Sequence, residues 1–211
     1  KVSVDISENG LYVTNELGEF HIGNLPLGKY ELKEVQTLEG YVPNDTVYDI
    51  DLSYDHSDKI IYTKEINIEN EKTTTEISKI EATNNQELEG AHLSLKDKNG
   101  NIIEEWISGK EAHIIRGLLA GEKYTLHEDL APIGYATASD VTFTVNADGT
   151  PTKVTMKDEI TKVDISKVDA TNQKEIEGAK LTLTDKETGK VVESWTSKKE
   201  PHRIEGLEVG K

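Results

Sequence analysis

The chain has 211 residues, 40 of them acidic against 24 basic, for a net charge of −16, and it contains no cysteine. The acidity excludes the basic footprint needed to hold a nucleic-acid backbone or an anionic membrane surface, and reads instead as a well-solvated exterior. The missing cysteine removes disulfides, thiolate metal sites, thiol nucleophiles and thioesters together. With 35% hydrophobic, 30% charged and only 6% aromatic residues, the composition is that of soluble globular domains with small aliphatic cores, about one to three of them. No apolar run reaches the roughly 20 residues of a membrane span, so no membrane insertion is expected in this segment. The sequence starts at Lys1, with neither Met nor a signal peptide, and is read as a piece of something longer.

In chain order, the apolar residues fall into short alternating runs separated by turn chemistry, the pattern of half-buried strands. Asn9-Gly10 is the first turn signal. In YELKE, Tyr30, Leu32 and Glu34 share a face, since successive strand side chains point to opposite sides. Ile66, Ile68 and Asn70 share the next such face, and Thr75, Ile77 and Lys79 the one after. Beyond the Asn99-Gly100 turn, Tyr124, Leu126 and Glu128 repeat the YELKE pattern. Asp148-Gly149 precedes a row of Val154, Met156, Asp158 and Ile160, with Thr155, Lys157 and Glu159 pointing out. Val163, Ile165 and Lys167 form the last row, before a turn at Thr188-Gly189. Pro26, Pro43, Pro132 and Pro151 belong at turns or strand edges. No convincing amphipathic helix is present. The expected fold class is all-β, with one β-sandwich per repeat.

The repeat is internal and long. ISKIEATNNQELEGAHLSLKD (77–97) matches ISKVDATNQKEIEGAKLTLTD (165–185) without a gap. After one inserted residue the match goes on, pairing Trp106 with Trp195, His113 with His202, Gly117 with Gly206 and Gly121 with Gly210. YELKEVQTLEGY (30–41) answers YTLHEDLAPIGY (124–135), so a more distant copy precedes both. The expected division is the rear part of one domain at 1–73, a complete domain at 74–160 and the front part of a third at 161–211. Asn70 lies nine residues before Lys79, and Asp158 nine before Lys167. So short a link predicts tandem domains in an extended, stiff, monomeric rod.

Each copy therefore sets Lys, Glu, and Asp or Asn at the end of an apolar row. A lone charge there reads as a frayed strand end. A repeated trio does not, because a buried unpaired charge costs several kcal/mol. If Lys79 and Asp158 lie on adjacent strands in a dry core, desolvation favours the neutral amine and the protonated acid. The amine is then a nucleophile and the acid an electrophile, with Glu128 able to shuttle protons between them. An amide between the two side chains, with loss of water, removes both buried charges. With Asn70 as acceptor, ammonia would leave instead.

ISKVDA, EGAKLTLTD, the G-L-x-x-G-x-x-Y-x-L-x-E segment, the A-P-x-G-Y that follows it and the strand ending in Asn or Asp carry a resemblance. The chain resembles tandem collagen-adhesin B-type domains, the SpaA-type domains of Gram-positive pilins and surface adhesins, over nearly its whole length. The resemblance implies prealbumin-like sandwiches and a Lys79–Asp158 isopeptide bond promoted by Glu128. In the first domain Glu34 and Asn70 match as acid and acceptor, without a lysine strand in this sequence. In the third, Lys167 matches, and its acid and acceptor would lie beyond Lys211. It further implies a stalk on the cell surface or cell wall rather than an enzyme. Contacts to host matrix or glycan would be made through other parts of the full-length protein. The alternative is an adhesin module that itself contacts such a ligand.

No cofactor or metal is expected. DIDLSYDHSD (49–58) starts like a calcium loop, but Tyr54 stands where the loop needs Gly and Ile60 where it needs Glu. His113 and His202 recur in register, as turn-side structural residues. Trp106 and Trp195 read as packing rather than as a carbohydrate platform, and His127 is expected to face out beside Glu128.

Overall fold

The computed structural model describes residues 9–53 and 64–210. They divide into two compact units, lying within Lys1–Thr37 plus Asn44–Glu69 and within Leu38–Pro43 plus Asn70–Lys211. Among the described residues every regular element is a strand.

In the first unit β1 (Lys29–Lys33) and β2 (Val47–Asp51) form an antiparallel pair, with Tyr30 opposite Ile50 and Leu32 opposite Tyr48. Both strands alternate exposed and half-buried residues, as a one-sided core requires. Ile66 and Ile68 keep the same alternation but belong to no strand. A strand is completed by a neighbour that takes its backbone hydrogen bonds, and this run has no ladder among the described residues. The acidic stretch 49–58 lies partly outside those residues.

The second unit contains a complete sandwich. One sheet has the order β6 (His113–Arg116), β3 (Thr74–Glu81), β9 (Thr152–Asp158). The other has the order β5 (Ile102–Ile107), β4 (His92–Lys96), β7 (Lys123–Leu130), β8 (Val141–Thr144). The first and last strands, β3 and β9, run side by side and parallel. Period-two patterning on both sheets aims Ile77, Leu93, Leu95, Ile115, Leu126, Val154 and Met156 into one core. Each such side chain contributes about 1.5–3 kcal/mol on burial. Trp106, Val141 and Phe143 close its rim.

After this sandwich the front of the same plan begins again. β10 (Lys162–Ile165) pairs with β13 (His202–Glu205), and β11 (Lys180–Thr184) with β12 (Val191–Thr196). Ile165 stands opposite His202 as Ile77 stands opposite His113. The irregularity at Leu95/Lys96 recurs at Leu183/Thr184. The third row is less covered than the second: Val163 and Lys167 are exposed and Ile165 is half-buried, whereas Thr75, Ile77 and Lys79 are all buried. Among the described residues β10 is laddered only to β13, with no strand in the place where β9 flanks β3.

Candidate functional site: a buried lysine between two acids

Lys79 ends the inward row of β3, Asp158 ends that of β9, and Glu128 ends that of β7 on the facing sheet. All three are buried, at 2%, 1% and 2% exposure. Period-two geometry explains this: Thr75–Ile77–Lys79, Val154–Met156–Asp158 and Tyr124–Leu126–Glu128 are each buried throughout. Lys79 Nζ donates to Asp158 Oδ1 and lies 3.0 Å from Glu128 Oε1. The three rows thus converge at one end of the core, two from one sheet and one from the other.

The backbone holds each member. The Ala138 N–H donates to Glu128 Oε2 at 2.6 Å. The Lys79 N–H donates to Glu87 Oε2 at 3.1 Å, and the Leu88 N–H to the Lys79 carbonyl at 2.7 Å. The Ala82 N–H donates to the Asp158 carbonyl at 2.9 Å, tying the end of β9 to the end of β3. Tyr135, bridged to Ile160, lies near Glu81 and Asp158. Burial raises its phenol above the usual value, and the nearby Glu81 and Asp158 charges add to the effect.

Burial also pushes the Asp158 carboxyl up from its ordinary 3.8 to about 6. The hydrogen bond and charge of Lys79 act in the opposite direction without cancelling it, and Glu128 raises it further. Two carboxylates and one ammonium in a low-dielectric core leave one negative charge in excess, and a proton on one acid relieves it. A lysine side chain, a carboxyl that carries a proton and a second carboxylate held in contact are the groups an amide condensation needs.

The remaining sequence-chosen residues fall elsewhere. Glu34 is half-buried, and its Oε2 accepts the Asn44 N–H at 2.8 Å. Asn70 is half-buried and donates its Nδ2 to the Val42 carbonyl at 3.4 Å. Lys167 is exposed, and its N–H donates to Glu175 Oε2 at 3.0 Å, as Lys79 does to Glu87. His127 bonds Asp140 at 2.6 Å on the outer face. The Trp106 and His113 rings stack at 4.4 Å, with His113 Nε2 2.7 Å from Glu104. Trp195, His202 and Glu193 repeat that arrangement at 4.5 and 2.8 Å.

Sequence reasoning passed over Glu87, Ala138 and Tyr135. Glu87 was visible as the counterpart of Glu175. The supporting N–H was visible only as a spacing, ten residues after Glu34 and ten after Glu128. Its side chains, Asn44 and Ala138, have nothing in common.

A family model described as SpaA, a prealbumin-like fold domain, matches residues 1–70, 73–160 and 161–211. No curated protein matches the chain. Among solved structures, the Bacillus anthracis TIE protein is 24% identical with a TM-score of 0.47, covering 91% of this chain and 36% of its own. A streptococcal ancillary pilin is 18% identical with a TM-score of 0.39, covering 87% and 64%. The major pilin subunit BcpA of Bacillus cereus is 22% identical with a TM-score of 0.38, covering 46% and 31%. The chain thus spans less than two thirds of the length of each. Among the described residues no helix is long and apolar enough to cross a membrane.

Proposed function

This chain belongs to the family of SpaA prealbumin-like fold domains, and we propose that it is a structural stalk segment of a cell-surface adhesin or pilus-associated protein, cross-linked by its own side chains. The observation that carries this reading is the contact of Lys79 Nζ with both Asp158 and Glu128 in a buried core. The stalk is read as three tandem domains, at 1–73, 74–160 and 161–211. Its place is outside the cell, on the wall, and host matrix or glycan is met through other parts of the full-length protein.

The neutral Lys79 amine attacks the carbonyl carbon of the protonated Asp158. Glu128 takes a proton from the attacking nitrogen and passes one to the departing hydroxyl. One C–N bond forms, one C–O bond breaks and one water leaves, so Glu128 returns to its starting state. The fold supplies the effective concentration that makes a poor reaction proceed. The reaction happens once per domain, which is why the protein is not an enzyme in the ordinary sense. In the first domain Glu34 and Asn70 are assigned the same roles, with ammonia leaving. In the third, Lys167 is assigned the amine.

The amide joins the first strand of the domain to its last, across 79 residues. By analogy with disulfides, closing such a loop stabilises by roughly 4–5 kcal/mol. Tension applied at β3 and β9 then passes through a covalent bond rather than a ladder of hydrogen bonds. A cysteine-free extracellular chain gains from this what others gain from disulfides.

Intact mass of the denatured protein tests the reading. The wild type is expected to be one water lighter than its sequence, while Lys79→Ala and Glu128→Ala keep their full sequence mass. A wild type at full mass overturns the cross-link.

A further inference from the structure

The cross-linking reading leaves unused a set of contacts that recurs at two places in the second unit. Around Thr161, the Thr161 N–H donates to the Gly134 carbonyl at 2.9 Å and the Gly206 N–H donates to the Thr161 carbonyl at 3.0 Å. The Thr161 hydroxyl lies 2.6 Å from the Leu207 carbonyl and 3.1 Å from that of Gly134. The Ala136 N–H donates to the Glu159 carbonyl at 2.9 Å, and Tyr135 bridges to Ile160. Around Thr73 each contact has a counterpart. The Thr73 N–H donates to Gly40 at 3.0 Å, the Gly117 N–H to Thr73 at 3.0 Å and the Val42 N–H to Glu71 at 2.8 Å. The Thr73 hydroxyl reaches the Leu118 carbonyl at 2.5 Å, and Tyr41 bridges to Lys72.

The glycines make the approach possible. A Cβ on Gly134 would stand 2.9 Å from the Gly206 carbonyl oxygen, and one on Gly40 would stand 2.5 Å from that of Gly117. Both have left-handed φ, of 88° and 79°. Two backbone turns, Gly134-Tyr135 and Gly206-Leu207, are therefore in direct contact, with one threonine bonded to both.

We propose that Thr161, Gly134 and Gly206 form an interdomain lock, in which the Gly134 turn of the 74–160 domain takes the next repeat of the same family as its partner. The lock fixes the angle at which 161–210 leaves the preceding domain. Its partner is recognised by backbone geometry: a threonine just before the first strand and a glycine at each of two turns. The inference rests on the division at 160/161 and is independent of the Lys79–Asp158 bond.

The test uses the full chain with cysteines introduced at the exposed positions Lys123 and Lys190, a clean labelling scheme because no native cysteine is present. Spin-label distances are measured in the parent, in Thr161→Val and in Gly134→Ala. Thr161→Val keeps the shape and removes only the hydroxyl donor. A narrow distance distribution in the parent that broadens or shifts in both variants is the expected result. A broad parent distribution, or variants indistinguishable from it, overturns the lock. Intact mass is recorded on the same samples and reads the cross-link separately, so failure of one reading is distinguishable from failure of the other. Amide exchange adds a control for folding. Faster exchange confined to Gly206 and Ala136 supports the lock, and faster exchange throughout β3–β9 means the variant has damaged the domain and overturns the assignment of Thr161 as a junction residue.

Discussion

Lys79 and Asp158 are not ladder partners: in the parallel β3–β9 pair Lys79 stands opposite Met156, and Asp158 opposite Glu81. The lysine reaches its carboxyl by leaning two residues along the neighbouring strand on the buried face. Only a long unbranched side chain spans that diagonal. The diagonal also carries the contact past Met156 to the end of the core, where Glu128 approaches from the other sheet.

The acceptor is expected to be interchangeable in a diagnostic way. Asp158→Asn keeps the size of the side chain and changes the leaving group. Its product is chemically the same amide, so the cross-linked variant has the same final mass as the cross-linked wild type, having lost ammonia rather than water. Mass spectrometry of the variant checks this. A stable full-mass Asp158→Asn protein beside a cross-linked wild type means that the carboxylic acid itself is required.

Ala138 offers a test of the support beneath Glu128. Ala138→Pro removes the N–H that donates to Glu128 Oε2. A lost hydrogen bond to a charged group costs about 1.5–3 kcal/mol. The variant is expected to cross-link more slowly than Ala138→Gly, which keeps the N–H. A time course of intact mass after refolding compares the two, and equal rates remove the role given to this N–H.

The pH dependence of an uncross-linked form has a definite sign. Lys79→Met removes the influence that holds the Asp158 carboxyl down, leaving burial and Glu128 to raise it beyond its present value of about 6. The folded state then binds a proton that the unfolded state, with its ordinary carboxyl near 3.8, has released. Stability is therefore full below about pH 4 and falls as pH rises through the folded value. The wild-type shift of roughly two units already corresponds to about 3 kcal/mol, so the decline in the variant is at least that large. Urea unfolding of Lys79→Met at pH 4, 5, 6 and 7 measures it. Stability that rises over this range contradicts the assignment.

Mechanical loading separates the stalk reading from a merely stable fold. Pulled from residues 74 and 160, the wild-type domain is expected to show no extension beyond the short tails outside the 79–158 closure. Lys79→Ala is expected to unfold and release its full contour length. Single-molecule force spectroscopy reads the difference directly. Equal extension in both proteins leaves the first and last strands without a covalent tie.

Much of the fold is legible in the sequence because its signals are local. Period-two runs, glycine turns and the absence of helical periodicity show in a single pass, and a repeat with matching spacing sets out where each strand belongs. The inward rows ending in Lys79, Glu128 and Asp158 follow from the same alternation, since a strand's faces are decided by its own pleat. Strand neighbours were less accessible. That β3 and β9 run parallel, and that Lys79 meets Asp158 on a diagonal, depends on which edges of two sheets come together.

The backbone supports were legible only as a spacing from the acid, not as a residue type. Asn44 and Ala138 perform the same service through a group every residue but proline possesses, so no side-chain pattern marks them. The contrast between Lys79 and Lys167 shows the same limit. The two lie in closely matching sequences, and one is buried while the other is exposed. Sequence by itself determined the all-β class, the repeat and the set of polar residues on inward faces, because these depend on alternation along one strand. Tertiary structure alone decided which of those residues meet, because burial of a strand face requires the facing sheet and the neighbouring strand, and among the described residues β3 has both where β10 does not.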